Sequence, residues 1–122
     1  MSATILVVDD EPDICLLVKR VLESEGYQIS TAEDGAEALE KIHRERPKIV
    51  ILDIILPKKD GFAVCQEVKA DAALRDTIII MFTVKVFDAD RAEGIRVGAD
   101  YYLTKPLAGR DLLALLREIL GV

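Results

Sequence analysis

Three acidic side chains directly follow the first apolar run of the chain. Asp9, Asp10 and Glu11 come after residues 5–8 without a spacer. Adjacent carboxylates repel one another, and a bound cation would offset that repulsion. Several carboxylates held together suit a hard divalent cation such as Mg²⁺ (or Mn²⁺), which prefers oxygen ligands. The run therefore predicts a divalent-cation site; the alternative is that Asp9 or Asp10 only caps a helix beginning at Pro12.

Polar side chains also follow the later apolar runs. Asp53 ends the third run, Thr83 ends the fourth, and Lys105 comes just after a short fifth one. A carboxylate can act as a nucleophile and form an aspartyl phosphate. Phosphoryl transfer needs positive charge and hydrogen-bond donors around the phosphoryl oxygens, which a cation, Lys105 and Thr83 would supply. Taken singly, Asp53 is more simply a loop acid, Thr83 a strand residue and Lys105 a surface lysine, so the prediction depends on their lying together.

The segments that must position these residues alternate between two patterns. Continuous apolar runs, and one alternating segment typical of an edge strand, predict strands at 5–8, 27–31, 48–52, 78–82 and 101–103. Helical spacing predicts helices at 12–25, 35–46, 61–69, 88–97 and 110–120. The fourth helix is the most polar, and its stripe is predicted at Ala92, Ile95 and Arg96.

Five strand–helix units predict a single α/β domain with a doubly wound parallel sheet and helices on both faces. In such sheets the working site lies beyond the carboxyl ends of the strands. The acids, Thr83 and Lys105 all follow strands. They are therefore expected at one edge of the sheet.

Composition restricts the class of protein further. The 122 residues carry a net charge of −6, which argues against a general nucleic-acid or anionic-membrane binder. The sequence shows neither a membrane-spanning stretch nor a signal peptide, so a cytoplasmic location is expected. Cys15 and Cys65 are isolated and predicted to be reduced core residues. His43, the one histidine, is predicted to lie on the surface.

Four motifs make the chain resemble the receiver domain of two-component response regulators, the CheY-like family. They are ILVVDDE at 5–11, LDIILPKKDG at 52–61, FT at 82–83 and GADYYLTKP at 98–106. Each motif is moderately specific, but their order and spacing together are highly specific. The resemblance implies a (βα)₅ flavodoxin-like fold with strand order 2-1-3-4-5. It also implies one receiver domain over 1–122, without an output domain in this chain.

The resemblance assigns roles to residues of the predicted metal site. It implies that Asp53 is the phosphoacceptor and also faces Mg²⁺. Asp10 would be a direct ligand of the metal, and Asp9 would act mainly through a bound water. The backbone carbonyl of Ile55 would complete the ligands that the protein supplies.

The resemblance also implies how the phosphoryl group is held and sensed. Lys105 would pair with the phosphoryl oxygens, and its peptide bond to Pro106 is expected to be cis. Thr83 would donate a hydrogen bond to the phosphoryl group. Tyr102 would be the switch aromatic, which turns inward when Thr83 moves.

The implied function is a regulatory switch in a phosphorelay. The phosphoryl donor would be the phosphohistidine of a sensor histidine kinase or a phosphotransfer protein. Phosphorylation would shift the fourth helix, fifth strand and fifth helix, whose surface controls an output protein or domain. The chain would not be an enzyme beyond its own Mg²⁺-dependent phosphorylation and slow dephosphorylation.

The sequence departs from the family pattern near the predicted site. Ile55, Val84 and Lys85 are predicted to tune access and hydrolysis. Apolar Ile55 cannot hydrogen-bond an attacking water, which predicts slow dephosphorylation unless Lys85 compensates. Val84 stands where the family commonly has Ala, and its bulk would either narrow access or repack harmlessly. Tyr101 replaces a common Asp and weakens the case for a charge-paired dimer, so a monomer or weak activation-dependent dimer is expected.

Three rival functions share parts of this pattern. An FMN carrier would need a phosphate cradle after the first strand, where this chain is acidic and would repel phosphate. An aspartyl-phosphate hydrolase commonly needs a second acid two residues after the nucleophile, where Ile55 stands. A pseudo-receiver that acts only as an interaction module remains the alternative, although the full set of site residues argues against it. The chain would be a stand-alone receiver or the front of a longer regulator.

Overall fold

Five strands alternate with five helices along the chain. The computed structural model describes residues 4–122. The strands are β1 (Thr4–Val8), β2 (Gln28–Ala32), β3 (Ile49–Leu52), β4 (Ile78–Thr83) and β5 (Tyr101–Thr104). The helices are α1 (Pro12–Glu23), α2 (Gly35–Glu45), α3 (Gly61–Ala70), α4 (Asp88–Arg96) and α5 (Gly109–Leu120). The predicted alternation is confirmed, with boundaries that differ by one to two residues.

The strands form one parallel sheet in the order β2-β1-β3-β4-β5, which confirms the predicted fold class. Val8 pairs with Ala32 on one side and with Leu52 on the other, and Leu52 also pairs with Met81 of β4, so β1 and β3 lie inside the sheet. The alternating strand β2 is an edge strand, as its pattern predicted, and β5 forms the opposite edge.

Two hydrophobic layers cover the two faces of the sheet. One layer contains buried residues of α2 and α3 with Val97 just after α4, and the other contains buried residues of α1 and α5. Cys15 and Cys65 are free and buried, one in each layer, as predicted for reduced core residues. Burial raises the pKa of Cys15 to about 11 and that of Cys65 to about 12, so both thiols stay protonated at neutral pH.

The predicted core stripe of α4 is wrong. Ile95 is 76% exposed, and Ala92 and Arg96 are also on the surface. Gly94 is the buried residue of this helix, and Val97 is buried just beyond it. The helix lies against the ring of Tyr102 at Gly94, where a Cβ atom would be 3.0 Å from a ring carbon.

The first helix begins where its sequence predicts, with Pro12 in its first turn. The N-cap residue is Glu11, and its side chain makes no capping hydrogen bond. Neither Asp9 nor Asp10 is the N-cap, so the capping alternative for these two acids is wrong. Within residues 4–122, every helix is too short or too polar to cross a bilayer.

Candidate functional site

The backbone hydrogen bonds of the sheet continue one residue past the ends of three strands. The N–H of Asp9 donates to the last residue of β2 at 3.0 Å. The N–H of Asp53 donates to the last residue of β1 at 3.0 Å, and that of Lys105 to the last residue of β4 at 2.8 Å. The sheet itself therefore fixes the main chain of Asp9, Asp53 and Lys105 at its carboxyl edge.

The side chains of these three residues form a buried ionic cluster. Asp9 is 2% exposed and Asp53 is 6% exposed. The Lys105 ammonium donates to Oδ2 of Asp9 and, at 3.0 Å, to Oδ2 of Asp53. Burial opposes the charge of Lys105, but the hydrogen bonds to both carboxylates outweigh it and raise the pKa of Lys105 above its ordinary value. Lys105 therefore stays charged and offsets the repulsion between the two acids.

The second oxygens of the two carboxylates accept backbone hydrogen bonds. Oδ1 of Asp9 accepts from the N–H of Glu11 at 3.0 Å, and Oδ1 of Asp53 accepts from the N–H of Ile55 at 3.3 Å. These bonds hold both carboxylates in place, and each carboxylate keeps further lone pairs that can bind a cation or a hydrogen-bond donor.

Three carboxylates are close enough to share a cation. Asp9, Asp10 and Asp53 each present an oxygen within 4.8 Å of the others. Asp10 is exposed, so the cluster is open to solvent on its side. An all-oxygen donor set with one open side fits Mg²⁺, which binds through one or two carboxylates and keeps several waters. The sequence-based grouping of these acids agrees with where the structure places them.

A hydrogen-bonded path leads from the buried Thr83 to Tyr102. The Thr83 hydroxyl oxygen accepts from the N–H of Lys85 at 3.4 Å. The Tyr102 hydroxyl donates to the carbonyl of Lys85 at 2.9 Å. Because a threonine hydroxyl has one donor and two acceptor positions, accepting from Lys85 leaves the Thr83 proton free to donate elsewhere.

The residues predicted to tune access line the outer side of the site. Ile55 is 50% exposed and Val84 is 58% exposed, so neither side chain fills the interior. The ammonium of Lys85 lies 3.5 Å from a carboxylate oxygen of Asp90 on α4. The peptide bond between Lys105 and Pro106 is cis. His43 is exposed, as predicted.

Two residues that contact this path were missed by the sequence analysis. They are Asp90, the ion-pair partner of Lys85, and Arg91, whose guanidinium carbon lies 4.9 Å from the ring centroid of Tyr102. The signal that could have revealed this contact is Gly94. A glycine inside a helix is unfavourable and suggests that another group approaches closely.

The fold and the acidic edge together are those of a flavodoxin-like α/β domain with a carboxylate site beyond its strands. Residues 5–117 match the family described as response regulator receiver domain, and the chain belongs to this family.

Similar proteins include transcriptional regulators. The chain is 45% identical over 116 residues to the probable transcriptional regulator ycf27 of Guillardia theta, covering 95% of this chain and 44% of that protein. It is 42% identical over 120 residues to the alkaline phosphatase synthesis transcriptional regulatory protein PhoP of Bacillus subtilis (strain 168), covering 98% of this chain and 49% of that protein. The chain thus spans about half the length of these curated relatives.

The fold is also similar to that of solved receiver domains. A CheY-like response regulator receiver domain protein from Methanospirillum hungatei JF-1 superimposes with a TM-score of 0.93 at 31% identity. The match covers 99% of this chain and 95% of that one. The expected resemblance to the CheY-like family is therefore confirmed.

Proposed function

We propose that this domain accepts a phosphoryl group on Asp53 from the phosphohistidine of a sensor histidine kinase or a phosphotransfer protein. The observation that supports this most directly is the ionic cluster. Asp53 is buried at a strand end, its carboxylate is bonded to Lys105, and two further acids lie beside it. A nucleophilic carboxylate, a fixed ammonium and an oxygen-rich cation site are the groups that phosphoryl transfer to an aspartate requires.

The residues of this chain would act as follows. A carboxylate oxygen of Asp53 attacks the phosphorus, the new P–O bond forms, the P–N bond breaks, and the imidazole leaves. The Lys105 ammonium and the Thr83 hydroxyl donate hydrogen bonds to the phosphoryl oxygens, whose charge they stabilise. Asp9, Asp10 and Asp53, with the Ile55 carbonyl, would hold Mg²⁺. When bound, the metal supplies positive charge next to the phosphoryl oxygens.

Phosphorylation would be read on the surface formed by α4, β5 and α5. Large apolar side chains are exposed on α4, on the preceding loop and on β5: Phe87 is 75% exposed, Val86 56%, Ile95 76% and Tyr101 39%. Ile95 and Tyr101 line one shallow groove between α4 and β5, and contiguous apolar surface is a feature of sites that bind another protein. We infer that Tyr102 and α4 move between two arrangements, and that an output protein or domain binds one of them.

The remaining expectations belong to this proposal. We take 1–122 as one receiver domain that regulates without being an enzyme in its own right, and its location as cytoplasmic. Similarity to transcriptional regulators supports an output that controls transcription, while the net charge of −6 argues against direct nucleic-acid binding by this chain. Tyr101 at the β5 edge favours a monomer or a weak, activation-dependent dimer over one held by charged pairs.

Intact mass after incubation with acetyl phosphate tests the assignment of Asp53. We expect wild type to gain one phosphoryl group with Mg²⁺ and none in EDTA. The carboxylates of the site repel the acetyl phosphate anion, and the cation is needed to offset that repulsion. Asp53→Asn should gain none. Asp76→Asn, which removes an exposed acid from the α3–β4 connection, should behave as wild type. An unchanged gain in Asp53→Asn would reject Asp53 as the acceptor.

A pseudo-receiver remains the competing function. It predicts that wild type gains no phosphoryl group from acetyl phosphate or from any histidine kinase, while partner binding is unaffected by Asp53→Asn. The ion pair of buried Asp53 with Lys105 favours the phosphorylated receiver, because burying these charges carries a desolvation cost that an interaction module would not need.

Ile55→Asn should shorten the lifetime of the phosphorylated protein. Ile55 is half exposed beside Asp53, and an amide there could hydrogen-bond an attacking water. One such bond of about 1 kcal/mol corresponds to a roughly fivefold faster loss of the phosphoryl group. The decay is followed by intact mass after the donor is removed, with Ile55→Leu as the apolar control. Equal decay rates in the Asn and Leu variants would show that this position does not limit hydrolysis.

A further inference from the structure

Lys85 connects three parts of the molecule. Its N–H donates to the hydroxyl oxygen of Thr83 at 3.4 Å, and its carbonyl accepts from the hydroxyl of Tyr102 at 2.9 Å. Its ammonium lies 3.5 Å from Oδ1 of Asp90, which is on α4 and whose side chain is only 16% exposed. The predicted switch threonine, the predicted switch aromatic and α4 therefore meet at one residue.

The same face of α4 encloses the ring of Tyr102. The guanidinium carbon of Arg91 lies 4.9 Å from the ring centroid, a distance that allows a cation–π interaction. At Gly94, one turn further, a Cβ atom would lie 3.0 and 3.3 Å from two ring carbons. The Tyr102 ring therefore lies beneath the Arg91 guanidinium and packs against the backbone of Gly94, which has no side chain.

The charges of this face reach the phenol of Tyr102. Burial raises the pKa of Tyr102, and the charge of Asp90 raises it further, whereas Arg91 lowers it and Asp53 raises it. The charged groups that face the phenol are thus Asp90 and Arg91 from α4 and Asp53 from the end of β3. Because Asp90 raises the pKa of Tyr102 and Arg91 lowers it, removing each charge should shift that pKa in opposite directions, so the two contacts can be detected separately.

We infer that Asp90 and Arg91 are positioning residues of the switch, which hold Lys85 and Tyr102 in the packed arrangement that connects Thr83 to α4. The inference rests on the proposed phosphorylation of Asp53, but the contacts that carry it do not include Asp53. The packed arrangement is taken as the one that phosphorylation favours, because the Tyr102 hydroxyl bonds there to the residue that also bonds Thr83. Because coupling between two sites is reciprocal, residues that stabilise this arrangement also strengthen binding at Asp53. Loss of the Arg91 contact should therefore weaken binding of a phosphoryl mimic about twofold to fivefold, the range of a partly exposed cation–π interaction.

The position of Tyr102 can be measured without any phosphoryl donor. The chain has three tyrosines, so protein labelled with 3-fluorotyrosine should give three ¹⁹F resonances, which Tyr→Phe variants assign. We expect Arg91→Ala to move the Tyr102 resonance and to raise its phenol pKa. Arg96→Ala, an equal loss of charge on the exposed side of the same helix, should do neither. Arg91→Lys, which keeps a cation over the ring, should give an intermediate result.

Asp90 is tested against another acid of the same helix. Asp90→Asn should lower the phenol pKa of Tyr102, because a negative charge near the phenol is removed. Asp88→Asn is the control. Asp88 lies exposed in the same first turn of α4, but the ion pair with Lys85 is made by Asp90. Both changes have the same effect on the charge of the helix terminus, so a difference between them reports on the contact with Lys85.

Titration with Mg²⁺ and beryllofluoride completes the experiment. We expect half-saturation of Arg91→Ala at a concentration about twofold to fivefold higher than that of Arg96→Ala. If wild type responds but the two arginine variants match in resonance, phenol pKa and half-saturation, the inference is overturned. If wild type itself does not respond to the mimic and gains no phosphoryl group, the proposed function fails instead, and the Tyr102 resonances still report whether Arg91 positions the ring.

Discussion

Lys105→Met should lower the free energy of unfolding by about 3–5 kcal/mol when Mg²⁺ is removed with EDTA. The Lys105 side chain is 12% exposed and donates to the carboxylates of Asp9 and Asp53, whose side chains are 3% and 7% exposed. Without the ammonium, two buried carboxylates face one another with no opposite charge between them. Removing one partner from a buried ionic cluster is costly because it leaves uncompensated charge behind.

Urea unfolding with and without Mg²⁺ measures this effect. The metal should restore part of the lost stability, since a cation bound among the acids takes over part of the role of the ammonium. Lys59→Met is the control: Lys59 is 40% exposed and pairs with Glu67 on the surface, so its loss should cost less than about 0.5 kcal/mol. A loss below about 1 kcal/mol for Lys105→Met would show that the cluster does not depend on its ammonium.

The same variant should also be phosphorylated slowly. Removing one fixed donor from developing charge typically lowers a rate by about 10²-fold to 10³-fold, and Lys105 is the ammonium nearest to Asp53 within residues 4–122. The rate of mass gain from acetyl phosphate at saturating Mg²⁺ checks this. Because the rate is compared per folded molecule at saturating Mg²⁺, a remaining deficit in the rate reports the role of Lys105 at the phosphoryl group and not its role in stability.

Gly61→Ala should destabilise the fold by about 3 kcal/mol and impair phosphorylation together. A Cβ at Gly61 would lie 2.2 Å from the carbonyl oxygen of Asp53 and 2.8 Å from the Cα of Ile54. Both atoms belong to the backbone, so no flexible side chain can move aside. Either α3 or the end of β3 must shift, and the shift displaces the carboxylate that the sheet holds in place.

Gly26→Ala provides the matched comparison. No atom lies within 4 Å of a Cβ at Gly26, but its φ of +87° is strained for alanine, which predicts a loss of about 1–2 kcal/mol. Its rate of phosphorylation should equal that of wild type, because Gly26 lies in the α1–β2 connection at the far end of the sheet from Asp53. If Gly61→Ala retained wild-type phosphorylation and stability, the close approach of α3 to the end of β3 would not constrain the site.

The parts of this structure that the sequence predicts well are those that a repeating pattern encodes. Buried parallel strands need continuous apolar residues, and β1, β3 and β4 have them. Because strand ends in a parallel sheet lie at one edge, the same patterns placed Asp9, Asp53 and Lys105 together. The sequence predicted that a cation would offset the repulsion of the acids, and the structure shows that the Lys105 ammonium already provides part of that charge.

The helix α4 could not be predicted in the same way because no periodic pattern determines how it packs. Its contacts are a glycine against an aromatic ring, an arginine over that ring, and an ion pair to a loop residue. Each of these depends on where β5 and the β4–α4 loop lie, which is a property of the tertiary structure. Ile95 therefore satisfied the helical spacing of a core residue and yet lies on the surface.

The position of β5 at the rim of the sheet has a consequence for local unfolding. Tyr101–Thr104 is a four-residue strand with a hydrogen-bonded neighbour on one side only, whereas β3 is paired on both sides. Opening β5 breaks one ladder, and the helix before it adds little buried apolar surface to resist the change. The region around Tyr102 is therefore expected to open at a lower free energy than β1 and β3, which are paired on both sides and hold Asp9 and Asp53 at their ends.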